Sequence, residues 1–150
     1  MKQFLLSCTM VLLVATGFAQ SDKYQKSMQT TKVLLDSAKT GEDFTAVAAT
    51  FERIGDAEKT QWLPYYYGAL ANLWKGFVDT KSNKDEVADK ADVLIAKAEA
   101  IEPKNSEIFL LKSMSATLHM IVDPMNRWQK YMARGKDDLA TAKQLDPTNP

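Results

Sequence analysis

Thiol and imidazole groups are nearly missing from this 150-residue chain, which has one cysteine, Cys8, and one histidine, His119. That scarcity excludes a disulfide framework and a thiolate zinc site. Glycine and proline are also few, at 6 and 5, too few for the many tight turns of a sandwich or barrel. Charge of one sign is lacking, because 19 basic and 19 acidic residues cancel; there is no bulk basic footprint for nucleic acid. No glycine-rich phosphate loop, paired-carboxylate motif or zinc spacing occurs. Ser113, Ser115 and Thr117 lack a positioned base to make them nucleophiles. The chain therefore reads as a non-enzyme with no cofactor and no metal site. What remains is ordinary globular usage, 45% hydrophobic and 25% charged, in a length that fits about one domain.

The first nineteen residues read as an address. Met1-Lys2-Gln3 is a short positive start, Phe4 to Val14 is almost wholly apolar, and Gly17 and Ala19 sit where a signal peptidase reads. The run is shorter than the ~20 residues of a membrane-spanning helix. Cys8 lies inside the apolar run rather than after it, so it reads as a passenger and not as a lipid-modified cysteine. Removing residues 1–19 leaves 131 residues, 20–150, with no cysteine and a formal charge of −1. The expectation is an exported protein, periplasmic or envelope-associated in a Gram-negative bacterium, with no transmembrane segment after cleavage, that folds on packing alone.

Helical spacing runs through the rest of the chain, and no stretch alternates over strand length. Six helices are expected. The first runs from Ser21 to Lys39, stopped by Thr40-Gly41, with Gly41 suited to a left-handed residue after a helix end. The second covers Asp43 to Ala57, and the third Trp62 to Thr80 with Pro64 in its first turn. Asn83 opens the fourth, which Pro103 ends; Asn105 caps the fifth, to about Val122; Asp123-Pro124 opens the sixth. Connections of two to five residues make consecutive helices antiparallel neighbours.

An offset of 44 residues aligns the fourth and sixth helices: Ala91 falls on Gly135, Ile95 on Leu139, Ala98 on Ala142, Pro103 on Pro147 and Asn105 on Asn149. The small residues, seven apart, predict close approach of a neighbouring helix. Together with Glu102-Pro103-Lys104-Asn105, Asp146-Pro147-Thr148-Asn149 and the Tyr67-Gly68 pair, this pattern resembles the tetratricopeptide repeat (TPR), including its exported Gram-negative members. The resemblance covers Trp62 to Pro150, although the spacing exceeds the family's 34 residues and the first pair matches only in periodicity. It implies an all-α fold of three αα-hairpins stacked as a right-handed solenoid. It also implies a groove lined by the first helix of each pair that holds another protein or a peptide. The ending has the residues of a helix start, so either the natural chain continues or a partner covers the sixth helix; Trp128, Met132 and Leu139 do not resemble a polar cap. Self-association through that helix is expected on the same ground.

The aromatic third helix holds the groove candidates. Tyr66, Leu70 and Phe77 share one direction and Leu63, Tyr67 and Trp74 the next, which reads as core. Trp62 and Tyr65 point elsewhere, and Trp62, Tyr65 and Tyr66 are the candidate binding residues. They serve the scaffold reading, or alternatively a small-ligand binder or accessory subunit of an envelope uptake assembly. His119 reads as a structural or surface residue, Met114 and Met132 as core, and Asp85, Asp89 and Asp92 with Lys84, Lys90 and Lys97 as a solvated face.

Overall fold

The computed structural model describes residues 22–148; the expected signal peptide and Cys8 lie outside them. Those residues form six helices and no strand. α1 covers 22–37. It is followed by α2 (Gly41–Glu58), α3 (Leu63–Val78), α4 (Lys84–Ile101), α5 (Ser106–Met120) and α6 (Pro124–Leu145). No helix among the described residues is long and apolar enough to cross a membrane.

Each start has a local cause. Thr40 and Asp43 form a reciprocal capping box: the Asp43 amide donates to Thr40 Oγ1 at 3.1 Å, and the Thr40 amide to Asp43 Oδ2 at 2.9 Å. Asn83, Asn105 and Asp123 accept from the amides of Glu86, Glu107 and Asn126, satisfying donors that a helix leaves open. Gly41 does not end α1 in a left-handed turn, as the sequence predicted. It is the first residue of α2, and no glycine has a positive φ among the described residues. Its missing side chain instead admits the Asp79 carboxylate, which a Cβ there would strike.

α3 is the centre of the packing, touching α2, α4 and α5, while α6 lies on α5. One core joins α3, α4 and α5 through Leu73, Ala88, Ala91, Leu94, Ile108 and Leu118; another joins α1, α2 and α3 through Met28, Phe44, Val47, Phe51 and Ala71. Burying side chains of this size contributes ~1.5–3 kcal/mol each. Glycines make the close crossings: a Cβ on Gly68 would sit 3.0 Å from Leu94 Cδ1, and one on Gly55 would sit 2.7 Å from the Tyr65 ring.

α1, α3 and α5, the first helix of each consecutive pair, run in the same direction: Tyr24 of α1 shares a hollow with Trp62 before the start of α3, and Leu35 one with Trp74 toward its end. Tyr66 meets Glu107 near the starts of α3 and α5, and Gly76 meets Leu118 near their ends. The second helices are bridged by charge. Lys97 of α4 reaches Glu52 and Asp56 of α2 at 3.0 and 3.1 Å. Arg127 and Arg134 of α6 reach Asp85 and Asp92 of α4 at 2.7 and 3.5 Å. The expected solvated face is therefore partly an interhelical seam. Into it projects His119, buried, with Nδ1 2.8 Å from Asp85 Oδ1 and its ring stacked on Tyr131.

Candidate ligand groove

Periodicity puts Tyr24, Met28, Lys32 and Leu35 on the side of α1 that faces α3. A hollow of about 660 Å³ lies among Tyr24, Met28, Lys32 and Trp62. A second, of about 490 Å³, lies among Leu35, Phe44, Tyr67, Leu70 and Trp74. Lys32 and Asp36 line both, so the two are lobes of one groove. From Trp62 to Trp74 it follows α3 for roughly 18 Å at the rise of a helix.

Rings from Tyr24, Trp62, Phe44, Tyr67 and Trp74 stand in the walls, with Gln25, Gln29 and Gln61 among them in the first lobe, and those of α3 are braced from behind. Tyr67 stacks on Phe51 with centroids 5.3 Å apart, and Tyr66 meets Tyr67 edge-on at 5.1 Å and Trp62 at 5.7 Å. The Tyr66 hydroxyl donates to Glu107 Oε2 at 3.0 Å. Burial first, and the Glu107 carboxylate second, push its pKa well above the ordinary tyrosine value, so it stays a neutral donor. Lys32 places its ammonium 4.9 Å from the centre of the Tyr67 ring, a cation–π distance. The neighbouring Tyr67 side chain first, and the Asp36 carboxylate after it, raise the Lys32 pKa, so the ammonium stays charged with a carboxylate beside it. Trp74 remains 44% exposed at the far lobe. Flat π-faces suit a flat, largely apolar molecule, and Lys32 offers it one cation with the Asp36 carboxylate alongside.

Of the three residues singled out in the sequence, Trp62 lines the groove and Tyr66 braces it. Tyr65 does neither. It is buried against Gly55 with its hydroxyl donating to Asp56 Oδ1 at 2.9 Å, because α3 is covered on more than one side and the direction away from its main stripe is also interior. Lys32, Tyr67 and Trp74 were missed. Tyr67, Leu70 and Trp74 stand three and four apart, a spacing that reads equally as core. No group of three His, Cys, Asp or Glu side chains suits a metal ion among the described residues, and His119 is engaged in the α4–α6 seam.

No protein-family model and no curated protein matches the chain. A solved structure does. The chain is similar to the HusA haemophore from Porphyromonas gingivalis. The two share 34% identity over 85% of this chain, with a TM-score of 0.76, and the chain spans 62% of that protein's length. This likeness overturns the expectation of a scaffold whose groove holds another protein chain: the neighbour is a haemophore, and the groove is walled by rings suited to a small flat ligand.

Proposed function

We propose that this protein is an exported carrier, without catalysis, that binds haem or a related porphyrin in the groove between α1 and α3. The observation that carries the reading is the 34% identity and 0.76 TM-score to a haemophore. The geometry supports it independently, since Trp62, Tyr67 and Trp74 offer faces to a macrocycle and Lys32 offers a partner to a propionate. The leader-like residues 1–19 support an envelope or extracellular site of action. The parallel run of the first helices supports a TPR-like stack whose concave side has been given over to a small molecule.

The test is a hemin titration followed by the Soret band and by tryptophan quenching. One equivalent should shift the Soret band. Trp74→Ala should weaken binding by roughly tenfold or more, from lost stacking and burial, and Lys32→Ala by a few fold. Trp128→Ala on α6 is the control and should bind as wild type. Equal affinities for the Trp74 and Trp128 variants, or no Soret shift, would overturn the assignment.

A further inference from the structure

A separate hollow of about 670 Å³ lies between α1 and α2, with no residue of α3 on its walls. Its floor is aliphatic where the first groove is aromatic, formed by Leu34, Ile54 and Ala57 with Tyr24 at one end. Leu34 and Thr50 also line a smaller hollow of about 220 Å³ that carries on past Ala38 and Val47. From Lys23 to Ala38 the combined cleft follows α1 for roughly 22 Å.

The charge of the larger hollow is gathered at one end, and Asp43 lines the smaller hollow at the other. Because α1 and α2 are antiparallel, Lys23 and Lys26 near the start of α1 come opposite Arg53 and Glu58 near the end of α2. Three cations against one carboxylate leave these walls with a formal charge of +2. Arg53 Nη2 donates to Thr50 Oγ1 at 3.0 Å, which keeps the guanidinium on the cleft. No ion pair engages Lys23, Lys26 or Arg53 among the described residues. A cationic end on an aliphatic trough matches one chemistry: a single anionic head with an unbranched hydrocarbon tail.

We propose that the α1–α2 cleft binds a long-chain fatty acid, its carboxylate among Lys23, Lys26 and Arg53 and its tail along Leu34, Ile54 and Ala57. Leu34, Ile54 and Ala57 give a rigid planar ring no aromatic partner to stack on, the one ring of the cleft being Tyr24 beside the lysines, and an acyl chain needs none. The site shares only Tyr24 with the aromatic groove, and it does not rest on the porphyrin reading.

The experiment titrates palmitate into the full chain and follows the methyl NMR signals of Leu34 and Ile54 with the indole signals of Trp62 and Trp74. The methyls should move and the Trp74 indole should not. Hexadecanol, which lacks the charge, should bind roughly tenfold more weakly. The double variant Lys26→Ala with Arg53→Ala should lose about tenfold in palmitate affinity, as two exposed ion pairs predict, while hemin affinity stays that of wild type. Both side chains are exposed, so the variant keeps its fold. Unmoved methyls at saturating palmitate, or equal binding of hexadecanol, would overturn the site. Palmitate shifts confined to the indoles would do the same. Failure of hemin to bind while palmitate moves these methyls would remove the porphyrin reading and leave this one standing.

Discussion

Two glycines that look alike in the sequence should respond to alanine with opposite signs. Gly76 and Gly135 are both buried in helices against α5. A Cβ built on Gly135 finds Ser113 Oγ at 3.4 Å and the Ala116 Cβ at 3.8 Å, which is ordinary contact. Gly135→Ala then gains ~0.8–1 kcal/mol of helix propensity and buries a methyl worth a further few tenths to ~0.8 kcal/mol. A Cβ on Gly76 collides with Leu118, with Cδ1 2.9 Å away and Cδ2 nearer. Leu118 is fully buried and has nowhere to retreat. Overpacking of that kind costs ~1–3 kcal/mol; set against the same propensity gain, Gly76→Ala should come out roughly 0–2 kcal/mol less stable. For a domain of this size the pair should bracket the wild-type Tm, Gly135→Ala a few degrees above it and Gly76→Ala at or below it. Thermal unfolding followed by far-UV circular dichroism reads both. A lowered Tm for Gly135→Ala would show that α6 lies closer to α5 than this packing has it. A raised Tm for Gly76→Ala would show that α3 and α5 are further apart.

Asp138 gives a pH-dependent case. Its side chain is only 13% exposed, Oδ2 has no hydrogen-bond partner, and Arg134 Nε stands 3.8 Å away. Burial, outweighing the nearby Lys112 and Arg134, raises its pKa. Its contribution is thus favourable below the unfolded value of about 3.9 and is lost as pH rises through the folded one. Asp138→Asn should be more stable than wild type at neutral pH, with the advantage gone below about pH 4 in urea titrations; a constant advantage at all pH values would contradict the burial argument. On α6, Met125 is 86% and Trp128 51% exposed, and we expect this stripe to drive self-association. Light scattering should show concentration-dependent mass for wild type and a monomer for Trp128→Glu; two identical monomers would end that expectation.

The helices were legible because their boundaries are written in short-range chemistry. Asn83, Asn105 and Asp123-Pro124 announce α4, α5 and α6 within a residue of where they begin. Thr40 was legible only in part: its partner is Asp43, three residues on, which makes it the cap of α2 rather than the end of α1. The site was harder because its residues come from different helices. Trp62 was found from its own segment, but Lys32 is meaningful only beside Tyr67, and one helical wheel cannot show which wheel turns toward it. Tyr65 failed for the converse reason: the wheel gave its direction correctly, and the neighbour waiting there, Gly55 of α2, came from elsewhere. Asp85 and Asp92 failed in the same way, reading as solvent-facing acids until Arg127 and Arg134 arrive from α6.

The first helices are joined by rings and aliphatic side chains, and the second helices by lysine, arginine and carboxylates. Such a stack resembles a bimetallic strip, whose two layers answer differently to one stimulus. Dissolved salt weakens exposed ion pairs and leaves ring contacts nearly untouched, so it should loosen the charged layer before the ringed one. Ionic strength is thus a lever on the seam of α2, α4 and α6 and a bystander to the ringed groove.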